Sequence, residues 1–178
     1  MLTELDLESL HYICFRLREA DKAEIFGIME HDCPYRFGWE AYTVFRNKGR
    51  SRIAWYRGKP AACIALLEIR PTVWEVASFG TEDYKAVALE MARWARNNIA
   101  ELSAPPFNGR RLQCDSRDGH EEAHKYLLAL GARKEGEPML HYGKDGSTYY
   151  RFVWVFGKDG GSDGSKVIDV ARNDLVMA

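Results

Sequence analysis

Residues 119–132, Gly-His-Glu-Glu-Ala-His-Lys-Tyr-Leu-Leu-Ala-Leu-Gly-Ala, combine the zinc-protease pattern His-Glu-x-x-His with the spacing of an amphipathic helix. His120 and His124 are four residues apart, which places them on one helical face, with Glu121 between them as a general base. The apolar positions also follow helical spacing, and they are Ala123, Tyr126, Leu127 and Leu130. The stretch therefore predicts a helix, which either holds a metal or packs on a core.

The residues after the second histidine argue against a zinc site. The extended pattern needs a glycine and then a third histidine near positions 127 and 130, but the chain has Leu127 and Leu130 there. His120 also follows Gly119 directly, so the pair would occupy only the first turn of the helix. We therefore predict no metal in this protein and a helix whose apolar face is buried.

The composition is that of one soluble globular domain. The chain has 178 residues, of which 46% are hydrophobic and 29% charged. No apolar run approaches the length needed to span a bilayer, and the acidic start lacks the features of a signal peptide. The four cysteines are scattered without a Cys-x-x-Cys pair, and three of them lie in apolar surroundings, which predicts buried thiols in a reducing cytoplasm.

The charge distribution argues against a nucleic-acid or membrane partner, with one local exception. The formal net charge is −1, so the chain lacks the basic excess that drives phosphate neutralisation. Residues 46–59 nevertheless hold six basic side chains and no acid. This stretch either contacts a phosphate or an acidic partner, or it is a solvated loop and hairpin, which is the more common use of such a run.

Hydrophobic periodicity predicts an α/β (α+β) domain with a mixed, mostly antiparallel sheet flanked by helices, in the order βααβββαβαββ. Residues 11–18 are predicted as the opening strand, and Asp21 as the cap of the first helix. Residues 51–80 are predicted as a three-stranded antiparallel meander. The best-supported helix follows, with apolar positions at Val87, Met91, Trp94 and Ala95.

The domain is predicted to cover residues 1–156. Residues 157–178 begin with Gly-Lys-Asp-Gly-Gly-Ser-Asp-Gly-Ser-Lys, a composition typical of flexible linkers, and end in a short mixed tail.

The later elements resemble the GNAT family of N-acetyltransferases. A strand ending at Asp115-Ser116 leads into a helix with Ala123, Gly131 and Ala132 at positions matching the family pattern Ala-x-x-x-(Tyr)-x-x-x-Gly-(Phe/Ala). Residues 16–25 are similar to the opening segment of these proteins. The order of elements agrees over about residues 11–156, and the resemblance implies a single GNAT-like domain.

More narrowly, the chain resembles GNAT-like proteins encoded by short-tailed bacteriophages. The matching features are residues 74–81, Arg93-Trp94, residues 123–132 and the final strand after Gly143-Lys-Asp-Gly. Some members of that group are associated with the virion or its assembly. The resemblance therefore implies a phage structural or host protein as partner, contacted through residues 157–178, and a location in the bacterial cytoplasm or the virion.

The resemblance also implies an acetyl-CoA site. The family binds the cofactor pyrophosphate on a loop of the form (Arg/Gln)-x-x-Gly-x-(Gly/Ala) before the central helix, and the matching positions here are Phe79, Gly80, Thr81, Asp83 and Tyr84. Only one glycine of the pattern is present. Glu82 and Asp83 bring two negative charges to the place where phosphate would lie.

Two side chains are candidates for acyl-transfer catalysis. Glu75, in the central strand, is the candidate general base that would accept a proton from the attacking amine. Many family members have a tyrosine four residues before the helix-ending glycine, but position 127 is leucine, and Tyr126 lies about 100° away round the helix. Cys114 is either a nucleophile or, as is more usual for free cysteine, a packing residue.

These observations lead to two expectations for function. The altered loop, the missing tyrosine and the glycine-rich extension favour a structural, assembly or interaction protein on a GNAT scaffold. The alternative is an active acyl-CoA-dependent N-acyltransferase that modifies a host protein or a small amine, with Glu75 as base and Tyr126 near the leaving thiolate. A fold by itself does not choose between them.

Overall fold

A single sheet with the strand order β1-β2-β3-β4-β5-β7-β6 organises the computed structural model, which describes residues 1–157. The strands are β1 Leu2–Thr3, β2 Gly49–Tyr56, β3 Lys59–Arg70, β4 Val73–Gly80, β5 Arg111–Arg117, β6 Arg133–Met139 and β7 Tyr149–Val155. The helices are α1 Leu7–Cys14, α2 Glu19–Ile28, α3 Pro34–Lys48, α4 Tyr84–Leu102 and α5 Glu121–Ala129. The predicted linker and tail lie outside the described residues, apart from Gly157.

The predicted fold class is confirmed, since one α/β domain has a mostly antiparallel sheet with helices on both faces. The meander over β2, β3 and β4 is antiparallel throughout, as its turn residues predict. The later helices and strands also lie where periodicity placed them.

The predicted opening strand over residues 11–18 is wrong, because residues 11–14 belong to helix α1 and residues 15–18 form the turn and connection after it. Asp6 accepts a hydrogen bond from the Ser9 amide at 2.8 Å and so caps the helix. Leu10, Ile13 and Cys14 are buried at the i, i+3, i+4 spacing of one helical face. The sheet instead opens with the short strand β1, and the order is βαααβββαβαββ.

Two apolar cores lie on opposite faces of the sheet. Helices α4 and α5 pack on one face, with Met91 and Leu127 among the buried side chains. Helices α1, α2 and α3 pack on the other face, with Ile13, Phe26 and Phe37 buried. Successive strand residues alternate between these two cores, as the pleat requires.

Strands β4 and β5 pair for only part of their length. They are parallel and in register from Val73–Arg111 to Glu75–Gln113. Beyond those residues β4 stays with β3, and β5 stays with β7, so the two strands separate inside the sheet. We call this opening, between residues 76–80 of β4 and 114–117 of β5, the split. It lies at the carboxyl ends of the two strands, where the chain continues into α4 and α5.

No helix within residues 1–157 is both long and apolar enough to cross a membrane.

Met91 tests the core beneath α4. Its side chain has no exposed surface, whereas Leu89 on the same helix is 46% exposed. We expect Met91→Ala to lower the free energy of unfolding by about 2–5 kcal/mol, because it removes buried surface and leaves a cavity. Leu89→Ala is the matched control and should change it by less than about 1 kcal/mol. Chemical denaturation of both variants measures the difference, and equal losses would contradict this packing.

Candidate functional site

The far ends of β4 and β5 are joined by two carboxylates of α2. Asp21 and Glu24 are three residues apart on one face of this helix. Asp21 Oδ2 accepts the Gly80 amide at 2.7 Å, at the end of β4. Glu24 Oε2 accepts the Arg117 amide at 2.8 Å and the Ser116 hydroxyl at 2.6 Å, at the end of β5. Helix α2 therefore closes the split with hydrogen bonds to both strands.

His120 lies between the same two carboxylates. Its Nδ1 is 3.1 Å from Glu24 Oε2 and its Nε2 is 3.6 Å from Asp21 Oδ1. The side chain is buried. Burial alone would lower its pKa, but the hydrogen bond and charge of Glu24 and the charge of Asp21 outweigh burial and the repulsion of Arg18. The pKa of His120 is therefore raised, which favours an imidazolium that links the two acids.

Arg18 extends the closure to the other face of the sheet. Its Nη2 donates to Asp21 Oδ1 at 2.6 Å, and its guanidinium stacks on the Tyr84 ring at 4.1 Å. The Arg18 amide donates to the Gly80 carbonyl, so both polar groups of the Gly80 backbone are bonded to α2 or its first flanking residue. Burial raises the pKa of Asp21, although Arg18, the Gly80 amide and His120 lower it.

Ion pairs link the amino-terminal ends of α4 and α5 across the split. Glu122, on α5, is 2.7 Å from Lys85 Nζ and 3.8 Å from Arg18 Nη1. Lys85 belongs to the first turn of α4. These contacts connect the amino-terminal ends of the two helices across the split, while Arg18 connects them to α2.

A group of hydroxyls lies on the α4 and α5 side of the split. Ser78 Oγ and the Tyr84 hydroxyl are 2.8 Å apart. The Tyr126 ring packs edge-on against Tyr84 at 6.4 Å. Burial raises the pKa of Tyr84 to about 12 and that of Tyr126 further. Both phenols therefore stay protonated at neutral pH, and each can donate or accept a hydrogen bond or donate a proton.

Glu75 lies on the opposite face of the sheet from these hydroxyls. The adjacent residues Trp74 and Val76 belong to the α4 core, so alternation directs the Glu75 side chain to the other side. Burial, and then the charge of Asp115, raise the pKa of Glu75, while Arg151 lowers it. A half-buried acid with a raised pKa is suited to general-base chemistry, and the role of Glu75 stays a prediction.

Asp115 organises the polar surface beside Glu75. Arg151 donates two hydrogen bonds to its carboxylate, at 2.7 and 2.8 Å, and the Tyr142 hydroxyl donates a third at 3.1 Å. These bonds satisfy Asp115 and leave Glu75 as the neighbouring acid without an ion pair among the described residues.

The predicted cofactor residues do not form one cradle. Gly80 is bonded to α2, while Phe79 packs in the opposite core against Phe37 at 5.1 Å. Thr81 is buried and donates its amide to the Ala61 carbonyl. Tyr84 faces the split, and Asp83 is exposed at the start of α4.

The two histidines of the opening motif have different surroundings. His120 precedes α5 and is bonded to Glu24, whereas His124 is buried between Phe152 and Tyr150, with ring distances of 5.0 and 5.7 Å. Burial lowers the pKa of His124. No group of metal-ligating side chains occurs within residues 1–157.

Cys114 packs at the split. It is buried, and burial raises its thiol pKa well above the ordinary value, with Glu24, Asp115 and Glu75 adding to the shift. The thiolate is therefore disfavoured, and the packing interpretation fits better than the nucleophile.

Sequence reasoning missed the closure by α2. The sequence predicts Asp21 as a helix cap, but α2 begins at Glu19, and Asp21 is 2% exposed. The available signal was the spacing of Arg18, Asp21 and Glu24, which puts three charges on one side of a helix. Such a charged side usually faces solvent, so the sequence did not distinguish the two cases.

Comparisons with solved structures identify the fold. RimL, a ribosomal L7/L12 α-N-protein acetyltransferase in complex with coenzyme A, is similar over 87% of this chain and 93% of its own, with a TM-score of 0.64 and 10% identity. A ribosomal-protein-S5-alanine acetyltransferase from Vibrio fischeri covers 86% of this chain and 91% of its own, with a TM-score of 0.61 and 14% identity. A mutant of the spermidine N-acetyltransferase SpeG from Vibrio cholerae is similar over 87% of this chain and 94% of its own, with a TM-score of 0.60 and 13% identity.

The sequence itself matches no protein-family model and no curated protein. At identities this low the likeness concerns the fold alone, and the chain has the GNAT acetyltransferase fold.

The acyl-CoA expected for this fold does not fit the described loop. The matching positions, residues 79–84, include the end of β4 and the first residue of α4, and residues 81–83 connect the two elements. Of the five amides from Gly80 to Tyr84, four are already bonded, to Asp21, to the Ala61 carbonyl and, for the last two, to Thr81. The exposed acids Glu82 and Asp83 would also repel a pyrophosphate.

Asp21 tests the closure of the split. We expect Asp21→Ala to lower the free energy of unfolding by about 3–5 kcal/mol, because it leaves the Arg18 charge and the Gly80 amide without their buried partner. Glu19→Ala, at an exposed position on the same helix, should change it by less than about 0.5 kcal/mol. Denaturant titration of the two variants decides the matter, and a small loss for Asp21→Ala would show that α2 does not hold the strands.

His120 predicts a pH-dependent stability. Its folded pKa is above the ordinary value of 6.5, so its contribution is complete below that value and is lost as the pH rises through the folded pKa. The raised pKa of Asp21 also lowers stability as the pH rises, but its window begins at the ordinary value of 3.8. We expect the wild type to lose stability relative to His120→Gln as the pH rises above 6.5. His31→Gln, which removes a histidine paired with the exposed Glu40, is the control. Parallel pH profiles for wild type and His120→Gln would refute this assignment.

Proposed function

We propose that this chain is a binding protein built on the GNAT fold, which recognises a protein partner and does not use acyl-CoA. The single observation that carries the proposal is the hydrogen bond from the Gly80 amide to Asp21, at the position where the cofactor loop would begin. An internal carboxylate there takes the donor that a phosphate would need. The occupied amides from Gly80 to Tyr84 support the same conclusion.

The closure is also energetically costly to reverse. Opening the split would expose Asp21, which is 2% exposed, and would break its bonds to Arg18 and Gly80. Removing one partner of a buried, hydrogen-bonded charge pair costs several kcal/mol. A ligand would have to supply that free energy before gaining any affinity.

The partner class inferred from the sequence belongs to this proposal. A phage structural or host protein is the expected partner, with a role in the virion or its assembly. This part is supported by the sequence resemblance to GNAT-like proteins of short-tailed phages.

An acyltransferase is the second candidate. Glu75, with a raised pKa, lies on one face of the sheet where the split begins, and the protonated hydroxyls of Tyr84 and Tyr126 lie on the other face. A base on one side and a proton donor on the other suit acyl transfer to an amine. The likeness of the fold to acetyltransferases also favours this candidate. It requires α2 to withdraw from the ends of β4 and β5.

Calorimetric titration with acetyl-CoA separates the two candidates. We expect no saturable binding at concentrations up to about 1 mM, because four of the five loop amides are occupied and the adjacent acids repel phosphate. A parallel assay with acetyl-CoA and a set of amines, followed by mass spectrometry, should show no acetylated product.

The opposite result would establish the enzyme. Micromolar binding of acetyl-CoA, together with acetylation that is lost in Glu75→Gln and retained in the exposed-site control Glu19→Gln, would overturn the proposal. Binding without transfer would also overturn it, because the proposal excludes the cofactor itself.

A further inference from the structure

The outer edge of β2 is only half covered. Strand β1 pairs with it at two positions, Leu2–Ala54 and Thr3–Ile53, and the Trp55 amide donates to the Met1 carbonyl. The first half of β2, Gly49–Arg52, pairs with β3 on its inner side, and within residues 1–157 no strand lies on its outer side. Those four residues form about 13 Å of sheet edge, at about 3.3 Å per residue.

The backbone of this edge has groups available for pairing. Because the Trp55 amide points toward β1, alternation directs the polar groups of Ile53 and Ser51 to the same side. The Ser51 amide has no hydrogen-bond partner among the described residues. The Ser51 carbonyl accepts only the Arg52 side chain, at 2.7 Å. Ser51 as a whole residue is buried, at 7% exposure, but a strand edge with an unpaired amide is still a template for another strand.

An open groove of about 520 Å³ runs along this edge. Its walls include Arg50 and Arg52 from β2, and Tyr42 and Arg46 from α3. Leu5, in the connection after β1, adds an apolar surface. The groove therefore combines a free backbone edge with three guanidinium groups.

The three arginines of the groove make either an ion pair with an exposed glutamate or no ion pair among residues 1–157. Arg46 stacks on Tyr42 at 5.8 Å and makes no ion pair among residues 1–157. Arg52 pairs with Glu4, whose side chain is 84% exposed, and Arg50 with Glu101, which is 57% exposed. Exposed pairs of this kind contribute about 0–1 kcal/mol, so a ligand carboxylate can replace them. The Glu4 contact also shows that a carboxylate fits against Arg52.

We propose that the groove binds an extended acidic peptide of a partner protein, which adds to the edge of β2 as a strand. Main-chain bonds to Ser51 would fix the peptide, and its acidic side chains would pair with Arg46, Arg50 and Arg52. The planar guanidinium matches carboxylate geometry. A small molecule would need a more enclosed pocket, and the net charge of −1 disfavours a nucleic acid.

This inference deepens the proposed binding function by naming the chemistry of the partner, and in that sense it rests on it. The proposed function and the peptide-binding groove are overturned by different results. Binding of acetyl-CoA would overturn the proposed function without affecting the groove, whereas loss of peptide binding would leave the closure of the split unchanged.

The test is fluorescence anisotropy with a labelled hexapeptide of alternating glutamate and valine. We expect saturable binding in the range of about 10–100 μM, weakened several-fold when the salt concentration rises from about 50 mM to about 300 mM. Arg46→Gln should weaken binding about threefold to fivefold, since it removes one exposed charge pair. Arg93→Gln, at an exposed position on α4, is the matched control and should leave the affinity unchanged.

Two further peptides test the mode of binding. A peptide methylated on alternate backbone amides should bind at least tenfold more weakly, because strand addition needs those donors. A peptide of alternating lysine and valine should not bind. The proposal is overturned by an unmeasurable affinity, by equal effects of Arg46→Gln and Arg93→Gln, or by full binding of the methylated peptide. Tighter binding of a single-stranded oligonucleotide with the same Arg46 dependence would instead assign the groove to nucleic acid.

Discussion

The separation of β4 from β5, and its closure by the carboxylates of α2, is the constraint on which the functional part of this structure depends. Two parallel strands that part inside a sheet leave backbone groups that need partners. Asp21 supplies one at Gly80, and Glu24 supplies another at Arg117. His120 then stabilises two nearby acids that would otherwise repel each other. Three segments distant in sequence are thereby held together at one point, where both helices that follow the split begin.

The closure of the split by α2 also argues against the acyl-transfer chemistry that is usually expected of this fold. The chain has the architecture of acetyltransferases, together with a candidate base on one face and protonated tyrosines on the other. Arg18 stacks on Tyr84 at the split, and four of the five amides from Gly80 to Tyr84 are bonded to the protein's own groups. Our functional proposal follows from these local contacts, because a fold hosts many functions and a site decides among them.

Periodicity predicted most of the elements for a clear physical reason. The α4 pattern and the meander each have a continuous apolar stripe or alternation, and their burial follows directly from it. The segment 11–18 was assigned to the wrong element because its apolar residues fit both a period of two and the i, i+3, i+4 spacing of Leu10, Ile13 and Cys14. The Asp6 cap and the packing against α3 and β3 decided for the helix.

The sequence by itself determined the fold class, the helix that contains Tyr126 and Leu127, and the acidic residues after Gly80, since each depends on local spacing or composition. Only the tertiary structure decided that Arg18, Asp21 and Glu24 face inward, and that Glu24 and His120, 96 residues apart, share a hydrogen bond. It also decided that the basic stretch borders an unpaired strand edge. Charged side chains carry no local sign of burial, because the partners that make burial tolerable come from distant parts of the chain.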